Sequence, residues 1–327
     1  MDFLLVDLLE EDDPSKATET YWLIKAFELF NSTQLVNDPK SNTAVISITG
    51  ALSTNLDQVD AETVIVYDLF HYDSNYNNYY NKIINQNPNK KIKCLTNNFN
   101  LNEVVGVEVI KWDYLFNRTK MIYTEKHRLS SKRSDLQYYE PYSAYELTPI
   151  RGDKIHKHFL SLARSMTGFR SRLLDHLIKN FESKGIVGCQ ALGKIIDNER
   201  KGYTPLSQAI YDQTFCSMYV ESTIDNAISF VTEKTFEPLI KGNFVLPFSD
   251  ANFINTLESR YGFSFPDIID YTYGDDFDKF LRSIDRLCSQ PIRDLRDYYI
   301  NNIHLLESNR QVFFDRPYHT VDLNLLG

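Results

Sequence analysis

The sequence is poor in cysteine and has no hydrophobic run of membrane-spanning length. Its four cysteines, Cys94, Cys189, Cys216 and Cys288, lie far apart without a CxxC pair. This spacing is typical of reduced, buried thiols in a cytosol rather than of disulfides or a zinc site. The first residues are acidic where a secretory signal needs basic ones. We therefore expect a cytoplasmic protein without a membrane span.

Basic residues are also fewer than acidic ones. There are 35 Lys and Arg against 44 Asp and Glu, which gives a net charge of −9. This balance argues against a protein that coats nucleic acid non-specifically, because phosphate binding needs Lys and Arg to displace counterions. The negative net charge is compatible with a local basic patch. Hydrophobic residues at 43% and charged residues at 24% are typical of globular domains, and 327 residues suit two domains of middling size.

Short, apolar and partly β-branched runs in the first half predict β-strands. They span residues 3–8, 43–48, 63–67, 91–95 and 107–110. Residues 17–30 have helical spacing, and the order strand, helix, strand implies parallel pairing in a Rossmann-like sheet. From Arg118 to about Asp153 the sequence is polar and has little strand or helix periodicity. We predict a first Rossmann-like, acceptor-side domain over 1–150.

The second half repeats the alternation of strands and helices. The pattern predicts strands at 155–162, 186–189, 215–221 and 243–247, and helices at 168–184, 232–241 and 250–261. Residues 275–287 and 291–314 also have helical periodicity. We assign 151–290 to a second α/β domain that binds the nucleotide-sugar, and 291–327 to a helical segment able to cross back to the first domain.

A polar constellation follows the strand predicted at 215–221. Glu221 ends that strand, and Thr232, Glu233 and Lys234 open the next predicted helix, with Thr232 as its N-cap. A helix start offers unpaired N–H groups to an anion, Lys234 adds a cation for a diphosphate, and the two carboxylates suit ribose hydroxyls. The other interpretation is that Glu233 and Lys234 lie on an ordinary capped surface helix.

This segment, with the apolar run 244–247 after it, resembles the donor-binding motif of the α1,3-fucosyltransferase-like and related viral, phage and bacterial glycosyltransferases. Residues 158–164 and 170–177 resemble the strand and arginine-containing helix that open the donor domain in the same group. The arginine there faces the donor diphosphate. The resemblance gives that role to Arg164 first, with Arg170 and Arg172 as rivals, because Ala163-Arg164 replaces the family's Asn-Arg pattern. It covers about 155–287 and leaves the first domain unmatched.

The resemblance implies the GT-B fold, an α/β architecture of two Rossmann-like domains with the active site in the cleft between them. It implies a hexosyl- or pentosyltransferase that uses a UDP- or GDP-linked sugar, with inversion and without a metal or other cofactor. Asp276-Phe277-Asp278 has the acid-x-acid pattern of metal-dependent transferases. A run of acids that opens a helix is the simpler interpretation, because acids stabilise the positive end of the helix dipole.

An inverting transfer also needs a base that deprotonates the acceptor hydroxyl. Ligands of open α/β sheets lie beyond the carboxyl ends of the strands, which makes Asp68, His71 and Asp73 the candidates after the strand at 63–67. Asp7, at the end of the first predicted strand, is a further possibility. Acids and histidines in loops are otherwise simply solvated.

The acceptor is predicted from a basic segment, 118–133, and the tyrosines after it. The candidate contacts are Arg128, Lys132, Arg133, Tyr138 and Tyr139. Such a segment suits a phosphate backbone and a stacked base, as in phage enzymes that glycosylate hydroxymethylated DNA, and it equally suits a sugar ring or a solvated loop. The acceptor is therefore a glycan or a hydroxymethylated base in DNA, in the host cytoplasm if the source is viral. The alternative function is a non-catalytic module that binds a nucleotide or glycan.

Overall fold

Two compact units make up the chain. The structure, a computed structural model, describes residues 4–5, 42–53, 55–68, 76–97, 101, 103–124, 148–163, 166–194, 207–221 and 231–319. Of these residues, the first unit contains those up to Arg118 together with 318–319, and the second contains the others. Each unit is built on a parallel sheet with helices between its strands. The predicted α/β class with two Rossmann-like domains, the domain type of the GT-B fold, is confirmed.

Five parallel strands form the sheet of the first unit, in the order β1-β2-β3-β4-β5. They are β1 (Leu4–Leu5), β2 (Thr43–Ser47), β3 (Thr63–Asp68), β4 (Lys91–Thr96) and β5 (Glu108–Lys111). All five were expected from their apolar runs, since parallel strands buried on both faces have nearly continuous apolar sequences. Helices α1 (Ile48–Ser53), α2 (Tyr76–Gln86) and α3 (Tyr114–Thr124) follow β2, β3 and β5.

Helices α1 and α2 are absent from the sequence-based prediction. Helix α1 begins at Ile48, which the sequence pattern assigns to the preceding strand. Helix α2 covers an Asn-rich stretch of low helix propensity. Burial of Tyr80 and Ile83, three residues apart on one helical face, stabilises α2 against the sheet.

Helix α3 also corrects the prediction of a polar segment that begins at Arg118. The helix continues to Thr124, and the side chains of Phe116, Lys120 and Tyr123 are buried along one face. Lys120 therefore does not belong to an exposed basic loop. Its ammonium group donates to the carbonyls of Phe314, at 2.6 Å, and Arg316. Burial lowers the pKa of Lys120.

Four parallel strands form the sheet of the second unit, in the order β7-β6-β8-β9. They are β6 (Lys157–Ala163), β7 (Gly185–Cys189), β8 (Thr214–Val220) and β9 (Phe244–Phe248). All four were predicted. The chain runs from β6 to β7 on one side and from β8 to β9 on the other. The switch point between the two directions lies between β6 and β8, where open α/β sheets bind ligands.

The helices of the second unit follow the predicted pattern with two breaks, except that the short helix Gln208–Tyr211 was not predicted. They are α4 (Gly168–Phe181), α5 (Gln208–Tyr211), α6 (Glu233–Ile240), α7 (Phe253–Thr256), α8 (Phe277–Ser289), α9 (Ile292–Asn301) and α10 (Ile303–Asp315). Helix α7 passes into a π-helical turn at Leu257–Tyr261. The tail expected as one helix over 291–314 is two helices that meet at Asn302. No helix within the described ranges has the length and apolar character needed to cross a membrane.

Two tyrosines cover the outer edge of β9. The Tyr271 hydroxyl donates to the carbonyl of Val245 at 2.7 Å, and the Tyr273 hydroxyl donates to the carbonyl of Pro247. An edge strand otherwise presents unpaired carbonyls that other chains can bind. Pro247 has no N–H to donate, which is tolerated at such an edge. The two hydroxyls thus occupy outward-facing carbonyls of β9 near its carboxyl end.

Candidate functional site

The candidate site is the carboxyl edge of the second sheet. Strands β6 and β8 end there at Ala163 and Val220, on the two sides of the switch point. Glu221 directly follows β8, and helix α6 begins beside it. The polar residues predicted around 221 and 232–234 therefore lie together at the edge where ligands of this kind of sheet bind.

Helix α6 begins at a capped amino terminus. Thr232 has an extended backbone, with φ −104° and ψ 177°, and its hydroxyl oxygen accepts the amide N–H of Lys234 at 3.2 Å. Thr232 is thus the N-cap, as predicted. Glu233 occupies the first turn, where a carboxylate stabilises the helix dipole.

Glu221 is buried beneath this helix start and accepts three hydrogen bonds. The Thr232 amide donates to Oε1 at 3.2 Å, the Thr232 hydroxyl to Oε2 at 2.7 Å, and the Thr235 hydroxyl to Oε1 at 2.8 Å. The side chain of Glu221 is 0% exposed. A buried carboxylate needs such partners, because burying it unpaired is costly. Glu221 therefore positions the start of α6.

The Lys234 ammonium lies near the Glu221 carboxylate and balances its negative charge. Its Nζ lies 3.8 Å from Oε2 of Glu221 and donates to the Thr232 hydroxyl at 3.3 Å. The Lys234 side chain is 27% exposed, whereas the carboxylate below it is inaccessible. The carboxylate thus holds a partly exposed cation at a helix amino terminus, which is an arrangement suited to an anionic ligand.

Tyr219 and Thr235 belong to the same network, and the sequence interpretation missed both. Their hydroxyl oxygens are 2.6 Å apart. Since the Thr235 hydroxyl donates to Glu221, the Tyr219 hydroxyl is the donor to Thr235. Burial, and then the charge of Glu221, raise the pKa of Tyr219. Side chains two residues apart along a strand point to the same face, so Tyr219 lies on the same face as Glu221. This alternation is the sequence signal that indicates Tyr219.

The structure places Arg172 on the surface of α4. Its guanidinium is 2.9 Å from the carboxylate of Asp278 in the first turn of α8 and lies 4.5 Å from the centre of the Phe277 ring. These contacts join α4 to α8. Arg170 is half-buried on the same helix. Contact of either arginine with a donor diphosphate stays a prediction.

Of the other candidate residues, the structure places the backbone of Asp68 alone. The backbone of Asp68 ends β3, where it pairs with Thr96 of β4. The remaining predicted residues lie outside the described ranges: His71, Asp73, Arg164, Arg128, Lys132, Arg133, Tyr138, Tyr139 and, in the first predicted strand, Asp7. Their roles as base, diphosphate ligand and acceptor contacts stay predictions.

The acid run at 275–278 opens a helix, as expected. One carboxylate oxygen of Asp276 accepts the amide N–H groups of Asp278 and Lys279, each at 3.0 Å, and so caps α8. Within the part of the chain that the structure describes, no group of three or more His, Cys, Asp or Glu is arranged to hold a metal ion.

Comparison with known proteins gives a structural likeness and no match by sequence. No protein-family model matches the chain, and no curated protein matches it. Among solved structures, it is similar to one described as the crystal structure of an α1,3-fucosyltransferase, at 12% sequence identity and a TM-score of 0.44. The match covers 98% of this chain and 93% of that chain.

Proposed function

We propose that the chain is a glycosyltransferase that takes a sugar from a nucleotide-diphosphate sugar bound at the carboxyl edge of the second sheet. The observation that carries the proposal is the start of α6. There a partly exposed Lys234 ammonium lies over the buried carboxylate of Glu221, at a capped helix amino terminus beside the switch point. A diphosphate is the kind of anion that such a position favours.

The diphosphate becomes the leaving group of the reaction. The acceptor hydroxyl oxygen attacks the anomeric carbon, and the bond from that carbon to the phosphate oxygen breaks. The diphosphate leaves with the bonding electron pair. Lys234 and the dipole of α6 would stabilise the developing charge, so the proposed transfer needs no metal ion or other cofactor. Arg164, with Arg170 and Arg172 as rivals, would add a further cation.

A base removes the proton of the acceptor hydroxyl in the same step, and the configuration at the anomeric carbon is inverted. We assign the base to Asp68, His71 or Asp73. Asp68 ends β3 of a parallel sheet, and this position supports the assignment. Glu233, in the first turn of α6, is the proposed contact to the ribose hydroxyls.

The donor is proposed to be UDP- or GDP-linked and the acceptor a glycan or a hydroxymethylated base in DNA, as in viral or phage enzymes of a host cytoplasm. The basic, tyrosine-flanked sequence around Arg128, Lys132, Arg133, Tyr138 and Tyr139 supports the second acceptor, since cations bind phosphates and aromatic rings stack on bases.

The test is nucleotide release from a panel of UDP- and GDP-sugars, with and without acceptors, by wild type and Lys234→Ala. We expect the variant to fold and to lose about 100-fold or more in rate, because it lacks a cation on the leaving group. Lys279→Ala is the matched control, since Lys279 forms an exposed ion pair with Asp276 at 3.7 Å. A wild-type rate in Lys234→Ala would refute the site. Nucleotide binding without any release would instead indicate a binding module.

A further inference from the structure

A serine hydroxyl at the carboxyl end of β9 is buried, and none of the described residues is its hydrogen-bond partner. Ser249 directly follows this strand and is 2% exposed. Its Oγ makes no hydrogen bond to any residue that the structure describes. Most buried polar side chains are hydrogen-bonded, because an unpaired buried hydroxyl lowers stability. A ligand atom that accepts this hydrogen bond would satisfy the hydroxyl.

Strand pairing places Ser249 beside Glu221. Val220 of β8 pairs with Phe248 of β9, and the Glu221 amide donates to the Phe248 carbonyl at 2.9 Å. The backbone hydrogen bonding between β8 and β9 thus continues one residue beyond the end of β8. Glu221 and Ser249 are therefore neighbours at the carboxyl edge of the sheet.

The alternation of side chains places Ser249 on the face of the sheet that carries α6. The Phe248 ring packs on the opposite face, 4.9 Å from the centre of the Phe277 ring and 5.2 Å from that of Phe280. Successive residues of a strand point to opposite faces. Ser249 consequently shares its face with Glu221, which bonds to the start of α6.

We propose that the Ser249 hydroxyl donates a hydrogen bond to a phosphate oxygen of the nucleotide diphosphate. This inference rests on the proposed function and adds a contact from β9. The helix dipole and the Lys234 ammonium favour an anion at this edge, and a hydroxyl donor bonds most strongly to a charged oxygen. The buried hydroxyl is then an anion contact that stays unpaired until the donor binds.

The experiment compares Ser249→Ala with Ser217→Ala. Ser217 of β8 is also buried, but its hydroxyl donates to the side-chain oxygen of Asn243 at 2.8 Å. Dissociation constants of UDP and GDP are measured by titration calorimetry, and melting temperatures are measured without nucleotide. For the nucleotide that wild type binds, we expect Ser249→Ala to bind about tenfold more weakly or worse, since hydrogen bonds to charged groups are the stronger ones.

The two variants should show opposite effects. Ser249→Ala should melt no lower than wild type, because no described partner loses a bond, whereas Ser217→Ala should melt lower and bind normally. Equal affinities of wild type and Ser249→Ala would overturn the inference and leave the proposed function intact. A lowered melting temperature of Ser249→Ala would show an internal partner and also overturn it. Uridine and guanosine carry no phosphate. If Ser249→Ala weakened their binding by the same factor, the contact would lie on the ribose and the inference would be overturned. A wild type that binds neither diphosphate would remove the proposed function itself.

Discussion

Replacing Glu221 by alanine should destabilise the second unit strongly, even though the change removes only one side chain. Three donors lose their acceptor: the Thr232 amide, the Thr232 hydroxyl and the Thr235 hydroxyl. Each unsatisfied buried donor costs about 1–3 kcal/mol, and breaking a buried ion pair from one side costs about 3–5 kcal/mol. The two costs describe partly the same loss and are not additive. The full sum is not reached, because the Thr232 and Thr235 hydroxyls can rotate and the Lys234 ammonium is partly solvated. We expect a loss of about 3–5 kcal/mol in the free energy of unfolding.

Urea denaturation followed by circular dichroism measures this loss, with Glu182→Ala as the control. Glu182 is also paired with a lysine, Lys194, but its side chain is 58% exposed. Exposed pairs contribute about 0–1 kcal/mol, so the control should unfold close to wild type. Glu221→Gln, which keeps one acceptor oxygen, should fall between the two. If Glu221→Ala costs no more than Glu182→Ala, the carboxylate neither holds the start of α6 nor positions the Lys234 ammonium there.

Two further predictions concern packing and titration in the second unit. Gly242→Ala should lower the free energy of unfolding by about 2–4 kcal/mol, because φ is +74° and a Cβ would lie 2.6 Å from Ile150. Gly262→Ala, with φ +80° but its closest contact at 3.5 Å, should cost only about 1–2 kcal/mol in the same urea titration. Burial raises the pKa of the Cys288 thiol from 9.0 to about 12, so its contribution to stability is complete below pH 9 and lost between pH 9 and 12. The free energy of unfolding of wild type should therefore fall more steeply between pH 9 and 12 than that of Cys288→Ala. Parallel plots of the free energy of unfolding against pH would contradict the burial of the Cys288 thiol.

The sequence predicted the strands better than the helices of the first unit. Strands buried on both faces have continuous apolar runs, which stand out without knowledge of the fold. Helix α2 is Asn-rich, and its helical state depends on tertiary burial of Tyr80 and Ile83, which local propensity does not contain. The continuation of α3 past Arg118 likewise depends on the carbonyls that Lys120 reaches nearly two hundred residues later along the chain.

At the candidate site, the sequence predicted the local features and missed the tertiary ones. The Thr232 cap is a contact between near neighbours in the chain, and its signal is the residue type. The burial of Glu221 depends on how α6 packs onto β8, and the position of Ser249 beside Glu221 depends on strand register. Sequence order alone fixes neither of these.

Amide hydrogen exchange with bound nucleotide reports whether a diphosphate binds at the start of α6. Peptides that span 231–236 are compared by mass spectrometry for the free protein and for the protein saturated with UDP, GDP or a nucleotide-sugar. We expect slower exchange at the start of α6 with at least one of these ligands, because a diphosphate bound to the Lys234 side chain would hold this turn and suppress its local opening. Binding that leaves exchange of 231–236 unchanged and protects other segments would contradict it.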